Sequence, residues 1–252
     1  MDAVCIAVPC LNEEKALCAN LPRLVEHLRK LSSVRWEVVV VDNGSTDGTQ
    51  GVVRQLRQQY SEVSLLVQPK RGRGNAIRGA WQASQATVLA YMDADMPVDI
   101  LQTLDLVGPI LNGRTDVVYG NRFDRRSLVK RSVLREMLSR GYRMLAGAMV
   151  GTGIQDFQCG FKAIRGACRD VLLPEIQDGH WFFDTELLVL SLVQGLRVEG
   201  IPVRWQDRDE TRVRFAQTIW SDLVLLAKLR RRLATFSASS KPRGVSGAHM
   251  RS

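Results

Sequence analysis

Two carboxylates, Asp93 and Asp95, follow the apolar run Val88–Met92, whose pattern is typical of a buried β-strand. Acids at positions i and i+2 of a strand end face the same way, and a cation makes their closeness favourable. The D-x-D pattern alone is weak evidence, because Asp207-Arg208-Asp209 repeats it in a charged stretch. The strand before Asp93 therefore favours a metal–diphosphate site over the alternative of a solvated turn.

The chain supplies few nitrogen or sulfur ligands for a metal. Its three histidines (His27, His180 and His249) are scattered, and its five cysteines are odd in number with no paired C-x-x-C spacing. Such cysteines are typical of reduced thiols, so we expect a cytoplasmic protein. A metal in this chain would take oxygen ligands, which favours Mg²⁺ or Mn²⁺.

Polar clusters also follow two earlier apolar runs. The segment 12–14 (Asn-Glu-Glu) comes after the first run, and Asp42 begins a polar segment after the second. A strand-end acid such as Asp42 can accept hydrogen bonds from a base or from ribose hydroxyls. The alternative is a capped turn in which Ser45 or Thr46 begins a helix.

A basic segment, 70–75 (Lys-Arg-Gly-Arg-Gly-Asn), precedes a predicted helix. Its backbone N–H groups and cations could meet an anion at the helix N-terminus. The glycine spacing does not match the dinucleotide-binding fingerprint or the P-loop. The segment alone is weak evidence for a phosphate site.

The elements that carry these clusters alternate between strand and helix patterns. Apolar, β-branched runs predict strands at Val4–Val8, Val38–Val41, Val63–Val67, Thr87–Met92 and Val117–Tyr119. Helical patterns fall between them, at about 13–31, 46–60, 75–83 and 100–111. This order predicts an α/β protein with a mostly parallel central sheet flanked by helices. Ligands of such sheets bind where the strands end, so the three acidic clusters are expected to converge on one edge.

The second half of the chain is less regular. A basic stretch from Arg122 to Arg143 leads into an amphipathic helix and then a glycine-rich link, Gly147–Gly153. A further helix is expected at Phe183–Leu192 and a strand at Val198–Val203. We expect a single domain over residues 1–235 with a C-terminal amphipathic helix, and a disordered tail over 236–252.

The charge and hydropathy of the chain bear on its partners. The formal net charge is +9, which suits nucleic acid, an anionic membrane surface or phosphorylated substrates. No segment approaches the roughly 20 apolar residues of a membrane span, and the N-terminus lacks the basic region of a signal peptide. The segment Leu223–Leu233 is rich in basic residues at its end, so it either lies on an anionic membrane or packs on the domain.

The order of the motifs resembles that of family 2 glycosyltransferases of the GT-A fold. That resemblance rests on the segments 8–14 (VPCLNEE), 41–49 (VDNGSTDGT), 72–74 (GRG), 93–95 (DAD) and 120–122 (GNR). The segments 156–162 (DFQCGFK), 181–188 (WFFDTELL) and 202–205 (PVRW) are similar to the dolichyl- and polyprenyl-phosphate sugar synthases. Within that group the chain is nearer the phosphoglucose than the phosphomannose type. The resemblance covers about Val4 to Arg230.

The resemblance implies an inverting hexosyl transfer from a nucleotide sugar, of the UDP-glucose or GDP-mannose type, to a polyprenyl or dolichyl phosphate. The residues that would form the base and ribose pocket are Pro9, Leu11, Glu13 and Asp42. Arg73 would approach the donor, while Asp93 and Asp95 would hold the metal and the diphosphate. The residues that would take the acceptor phosphate are Arg122, Arg135 and Ser139. An ionised phosphate needs no strong base.

Three positions depart from the family's pattern, and they leave open which nucleotide sugar is the donor. Leu11 stands where the family usually has an aromatic residue, and Asn43 replaces the second Asp of the usual Asp-Asp-Gly-Ser. Met96-Pro97 replaces the Leu-Gln that follows the D-x-D in many phosphomannose synthases.

Two other functions are open to the same residues. One is a soluble glycosyltransferase acting on a small-molecule or natural-product hydroxyl. Asp156 would then be the base, unless it is the structural partner of a nearby arginine. The other is nucleic-acid binding, but the chain lacks an aromatic stacking platform or a known binding motif. Acidic clusters at the sheet edge also disfavour a nucleic-acid groove, so no nucleic-acid partner is expected.

Overall fold

The structure is a computed structural model that describes residues 2–131, 133–206 and 215–239. The second D-x-D, at 207–209, and the part of the predicted tail at 240–252 lie outside these ranges, as do some side chains of the helices at 133–150 and 215–239. The strands are β1 (Ala3–Cys10), β2 (Arg35–Asp42), β3 (Val63–Val67), β4 (Val88–Met92), β5 (Val117–Asn121), β6 (Leu128–Lys130), β7 (Phe161–Arg165), β8 (Val198–Pro202) and β9 (Arg204–Gln206).

Helices separate most of these strands. They are α1 (Glu14–Arg29), α2 (Thr49–Gln59), α3 (Arg73–Ala83), α4 (Thr103–Leu111), α5 (Val133–Val150), α6 (Arg169–Leu172), α7 (Phe183–Val193) and α8 (Phe215–Ser239). A 3₁₀ turn, Ile100–Gln102, leads into α4. The predicted alternation of strand and helix through the first half of the chain is therefore confirmed.

The central sheet has the order β3-β2-β1-β4-β7-β5-β8 within the described residues. β1, β2, β3 and β4 pair in parallel, and β5 pairs in parallel with β8. β7 runs antiparallel to both of its neighbours. β6 and β9 form a small second sheet. The predicted α/β class with a mostly parallel sheet is confirmed.

Both faces of the central sheet are covered, which accounts for the continuous apolar run of β1. Val4, Ile6 and Val8 lie in a buried cluster with side chains of α1 and α4. The alternate residues, Cys5 and Ala7, lie in a second cluster with α3, α7 and α8. A strand buried on both faces reads as uninterrupted hydrophobic sequence. The two clusters share one sheet, as expected for a single domain.

The second half differs from the sequence-based expectation in several details. The predicted strand 198–203 corresponds to β8, which ends at Pro202, and a separate short strand, β9, begins at Arg204. α5 begins inside the basic stretch and contains Gly147, so the glycine-rich link is shorter than predicted. The small residues Ala146 and Gly147 fit the packed helix, where Ala146 is fully buried. β6, β7 and β9 were not predicted.

The C-terminal helix α8 packs on the domain. Leu226 and Leu229 are buried in the second cluster, and Arg232 contacts Glu186 of α7 at 3.2 Å. α8 continues to Ser239, beyond the predicted domain end at 235. Within the described ranges no helix combines the length and apolarity that crossing a membrane requires.

Asp222 of α8 is a buried acid that we expect to make stability depend on pH. Burial, followed by the charges of Asp178 and Asp184, raises the pKa of Asp222 to about 7, and Gln158 Nε2 donates a hydrogen bond to it at 2.7 Å. The folded state therefore holds a proton that the unfolded chain releases near the ordinary pKa of 3.8, so stability falls as pH rises between these values. We expect Asp222→Asn to raise Tm at about pH 8.

The gain from Asp222→Asn should vanish below about pH 3, where the carboxyl group is protonated in both states. Asp105→Asn, at an exposed acid of α4, is the matched control. Calorimetric scans of both variants across this range check the expectation. A gain in Tm that is the same at both pH values would contradict it.

Candidate active site

The loops after β1 and β2 lie side by side at the carboxyl edge of the sheet. Cys10 and Asp42 are paired at the ends of their strands. Asn12, held in a left-handed conformation with φ 57°, accepts a hydrogen bond from Thr46 N at 2.7 Å. Its own N–H donates to Ser45 Oγ at 2.9 Å. The sequence-based expectation that these two clusters converge on one edge is confirmed.

The residues predicted to form the base and ribose pocket occupy this edge in different ways. Leu11 is exposed on its surface, whereas Pro9 is buried inside β1. Glu13 precedes α1 and donates its N–H to Thr49 Oγ1 at 2.9 Å. Asp42 is fully buried, and its two oxygens accept from Ser45 N at 3.1 Å and from Gln50 Nε2 at 2.6 Å. The carboxylate of Asp42 therefore holds the turn, and its contact with a donor stays a prediction.

The basic segment 70–75 does not present an open helix N-terminus. The N–H groups of Gly74 and Asn75 donate to the carbonyls of His180 and Gly179. Gly72, at φ 134°, donates to Asn43 Oδ1 at 2.8 Å. These three N–H groups are therefore not open to an anion in this structure, because neighbouring chain segments already use them.

Arg73 bridges two carboxylates at the start of α3. Its Nη2 and Nε lie 2.7 and 2.9 Å from Asp93 Oδ1, and its Nη1 lies 3.0 Å from Asp184 Oδ2. The guanidinium also stacks on the rings of Tyr91 and Trp181, 5.0 and 5.1 Å from their centroids. Burial alone would lower the pKa of Arg73, but Asp184 and Asp93 raise it well above its usual value. Arg73 is thus a fixed cation behind the D-x-D.

A second buried cation, Lys162 of β7, shares Asp184. Lys162 Nζ lies 3.6 Å from Asp184 Oδ2 and donates to Cys159 O at 2.7 Å. Tyr91 donates a short hydrogen bond to Asp184 Oδ1. Burial lowers the pKa of Lys162, with Asp184 acting in the opposite direction. We call Arg73, Tyr91, Asp93, Lys162 and Asp184 the buried charge network. The negative charges of its two carboxylates balance the positive charges of Arg73 and Lys162.

The D-x-D turn follows β4 directly. Met96, at φ 45°, donates its N–H to Asp93 O at 2.9 Å and closes a tight turn around Asp95. Asn20 of α1 reaches the carbonyl of Asp95 at 3.4 Å. A Cβ atom at Gly160 would overlap the Asp93 carboxylate, so glycine is needed for the approach of β7 to the turn. The turn is therefore fixed from several sides.

The D-x-D fits a cation that completes its coordination with substrate oxygens. Asp93 Oδ1 is held by Arg73, and Asp95 is partly buried at the end of the turn. Among the residues that the structure describes, no group of three or more His, Cys, Asp or Glu side chains could hold a metal alone. Mg²⁺ is commonly bound by one or two carboxylates together with phosphates and water. The donor set therefore fits Mg²⁺ or Mn²⁺ bound together with a diphosphate.

Arg122 and Asp156 form a bidentate ion pair beside the turn. Arg122 Nε and Nη2 lie 2.7 and 2.8 Å from the Asp156 oxygens, and Arg122 N–H also donates to Oδ2. The guanidinium lies 4.7 Å from the centre of the Trp205 ring. Burial alone would raise the pKa of Asp156, but Arg122 holds it below its usual value. The structure therefore favours the role of Asp156 as the partner of an arginine over its role as a base.

We expect the Arg122–Asp156 pair to lose its stabilising effect in acid. The pKa of Asp156 lies below its ordinary value of 3.8, so the pair stabilises the fold above that pH and fails as pH falls below it. Between about pH 5 and pH 3 the Asp156→Asn variant should therefore lose less unfolding free energy than the wild type. Urea unfolding at a series of pH values measures this, and parallel losses in the two proteins would refute it.

The residues predicted to clamp the acceptor phosphate only partly come together. Ser139 of α5 and Arg122 line one small pocket with Arg143, of about 10 Å³, which is room for about one water molecule. Arg131 Nη1 donates to Ser139 Oγ at 3.3 Å, and Arg131 and Arg143 both stack on Phe123. A phosphate would require these side chains to separate. The side chain of Arg135 lies outside the described set.

Tyr91, Lys162 and Asp184 were not among the predicted site residues. Lys162 and Asp184 lie in the segments 156–162 and 181–188, which are similar to the dolichyl- and polyprenyl-phosphate sugar synthases. The sequence does contain one indication of this network. Lys162 stands among the apolar residues Phe161, Ala163 and Ile164, and a lysine buried in such a strand is rarely found without a charged partner. Its partner, far along the chain, could be identified only in the fold.

The fold and the D-x-D edge define an α/β protein with the GT-A fold. The family model described as Glycosyl transferase family 2 matches residues 5–172, which is more than half of the chain. The chain therefore belongs to glycosyl transferase family 2, and it is a glycosyltransferase.

Curated relatives and a solved structure extend this comparison. A dolichyl-phosphate beta-glucosyltransferase of Trichomonas vaginalis is 32% identical over 88% of this chain and 72% of the relative. The human dolichyl-phosphate beta-glucosyltransferase is 30% identical over 80% of this chain and 67% of the relative. Glycosyltransferase AglD of Haloferax volcanii is 28% identical over 91% of this chain, which spans 39% of that relative.

Among solved structures, glucosyl-3-phosphoglycerate synthase of Mycobacterium tuberculosis, in complex with Mg²⁺ and uridine diphosphate, is similar in fold. Its TM-score is 0.69 at 16% identity, and the match covers 91% of this chain and 79% of that one. At this level of identity the likeness shows the GT-A fold alone.

Proposed function

We propose that this glycosyltransferase transfers glucose from UDP-glucose to the phosphate of a dolichyl or other polyprenyl phosphate, with Mg²⁺ or Mn²⁺ bound at the D-x-D. The observation that carries the proposal is the geometry of the D-x-D, which lies at the carboxyl edge of the sheet with Asp93 fixed by Arg73. The names of the relatives supply the sugar and the acceptor: those from Trichomonas vaginalis and human are dolichyl-phosphate beta-glucosyltransferases.

The donor occupies the edge formed by the ends of β1, β2 and β4. Asp95 and Asp93 hold the metal, which when bound neutralises charge on the diphosphate. Arg73 fixes Asp93 through two hydrogen bonds and adds a positive charge behind it. Leu11, Pro9, Glu13 and Asp42 line or support the nucleotide side of this edge.

The acceptor phosphate lies against the basic residues that follow β5. Its second pKa is near 6, so it is largely ionised at pH 7 and needs no base to remove a proton. Arg122, Arg135 and Ser139 therefore act by positioning the nucleophilic oxygen. Arg131 and Arg143 lie next to Ser139 and add positive charge.

A hydroxyl acceptor is less well supported. An alcohol would need a general base near the acceptor, and its candidate is Asp156. Both Asp156 oxygens are bonded to Arg122, and its pKa is below the ordinary value, which makes the carboxylate a weak base. A GDP-mannose donor is likewise less well supported, because those relatives are glucosyltransferases.

Calorimetric titration of the donor tests the first half of this proposal. We expect UDP-glucose to bind in the presence of Mg²⁺ or Mn²⁺, and GDP-mannose to bind at least about tenfold more weakly, which corresponds to about 1.4 kcal/mol. In excess EDTA the binding of UDP-glucose should weaken. Tight binding of GDP-mannose with weak binding of UDP-glucose would overturn the assignment of the donor.

A further inference from the structure

An open cleft of about 470 Å³ lies next to the D-x-D turn, between α1 and the small second sheet. This volume is within the range of about 300–1,000 Å³ that small-molecule pockets occupy. Its apolar side chains are Met96, Pro97, Val98, Ile100, Leu128 and Trp205. The donor and acceptor-phosphate residues discussed above do not line it, so the cleft is a feature separate from the predicted site.

The walls of the cleft are held by backbone hydrogen bonds. The segment 97–99 pairs with β9 through Gln206 N to Pro97 O, at 2.8 Å, and Asp99 N to Arg204 O, at 3.1 Å. β9 pairs in turn with β6. The three extended segments therefore form a preformed apolar floor that a ligand need not order on binding.

The cleft adjoins the reacting groups at one end. Met96 follows Asp95 directly in the chain. Trp205, which lines the cleft, also lies against the guanidinium of Arg122, 4.7 Å from its ring centre. A ligand whose phosphate lies near Arg122 can thus extend across Trp205 into the cleft without passing through the buried charge network.

The rim of the cleft carries excess positive charge. Arg23 of α1 and Lys130 of β6 are exposed and line it. Arg204 is also at the rim, but it pairs with Asp99 at 3.3 Å. An apolar floor with exposed cations at its edge suits an amphipathic anion, in which the apolar part enters and the cations face phosphate groups.

We propose that this cleft receives the isoprenoid units next to the phosphate of the acceptor, with Arg23 and Lys130 facing the headgroups of the membrane that supplies the lipid. The inference rests on the proposed function, since it takes a polyprenyl phosphate as the acceptor. It adds Val98, Ile100, Leu128 and Trp205 as residues that select a lipid over a small phosphate.

The test replaces an exposed apolar side chain of the cleft by a charged one. Leu128→Glu leaves the core unchanged, and Val193→Glu, at an exposed position near the end of α7, is the matched control. Binding of citronellyl phosphate, a short isoprenoid phosphate, is measured by calorimetry. Transfer from UDP-glucose is measured with a long-chain polyprenyl phosphate in detergent.

We expect Leu128→Glu to weaken binding of citronellyl phosphate and to raise the acceptor KM at least about tenfold, with kcat and the Kd of UDP-glucose unchanged. Val193→Glu should behave as the wild type. If Leu128→Glu transfers glucose as the wild type does, with an unchanged acceptor KM, the proposal that the cleft receives the isoprenoid units is wrong. The proposed function would then still stand.

The same measurements also distinguish a failure of the proposed function from a failure of the proposal for the cleft. A wild type that binds citronellyl phosphate through Leu128 but transfers nothing to polyprenyl phosphate would overturn the proposed function and support the cleft. A wild type that neither binds nor transfers would overturn both.

Discussion

Replacing Asp95 with alanine is expected to lower the rate of hexosyl transfer at least about a hundredfold. The variant would hold less firmly the metal ion that neutralises negative charge on the departing diphosphate. Asp95 lies in a turn at the end of β4 that is closed by a backbone hydrogen bond, from Met96 N to Asp93 O, which alanine at position 95 would not remove. The substitution should therefore leave Tm close to that of the wild type. Initial rates and thermal unfolding of the purified variant measure both effects.

Two controls separate loss of the metal from loss of the fold. Excess EDTA should reproduce the effect of Asp95→Ala in the wild type, and adding Mn²⁺ should reverse it. Asp95→Ala should gain nothing from added Mn²⁺. Full transfer by the wild type in EDTA would refute metal dependence.

Replacing Asp184 with alanine should affect both stability and activity. Arg73 and Lys162 would keep their positive charges in a buried site without their shared partner. Breaking a buried ion pair by removing one member costs about 3–5 kcal/mol of unfolding free energy. Arg73 would also lose one of the two acids that fix it, so Asp93 should be held less firmly and kcat should fall.

The milder variant Asp184→Asn keeps the size of the side chain and separates the two effects. We expect it to fold, to lower kcat and to require more Mg²⁺ for half-maximal rate. Glu186→Gln, a buried acid on the same helix that contacts Arg232 and not Arg73, is the matched control. Equal losses of kcat in the two variants would show that Asp184 acts through general stability.

The first half of the fold was predictable because its signals are local. β1, β2 and β4 are apolar runs that end in polar residues, and parallel strands bring those ends to one edge. The D-x-D could be distinguished from its repeat at 207–209 because a continuous apolar run precedes the first, whereas the second lies in a charged stretch. The segment 156–162 was recognised only as a motif, so the strand that begins at Phe161 was missed.

The elements that escaped prediction depend on distant partners. β7 lies between β4 and β5 and contains Lys162, which is fully buried only because Asp184 and the Cys159 carbonyl receive its ammonium group. β6 and β9 have three residues each, too short for a periodic pattern. The N-terminus of α3 also depends on distant residues, because the carbonyls of Gly179 and His180 accept hydrogen bonds from the N–H groups of Asn75 and Gly74.

The role of Asp156 depends on its contact with Arg122. The sequence left Asp156 open as a base or as an arginine's partner. Two hydrogen bonds of 2.7 and 2.8 Å favour the second role, and they also leave Arg122 held in place beside Trp205. Only the distances between side chains distinguish these roles.

Transfer of labelled glucose from UDP-glucose, with dolichyl phosphate or dolichol as the acceptor, tests the central claim most directly. With Mg²⁺ or Mn²⁺ present, the proposed function requires a glucose-labelled lipid phosphodiester from dolichyl phosphate and none from dolichol. The product should be absent in EDTA and in the Asp95→Ala variant. Equal labelling of dolichol, or labelling of a small alcohol with none of dolichyl phosphate, would contradict a phosphate acceptor.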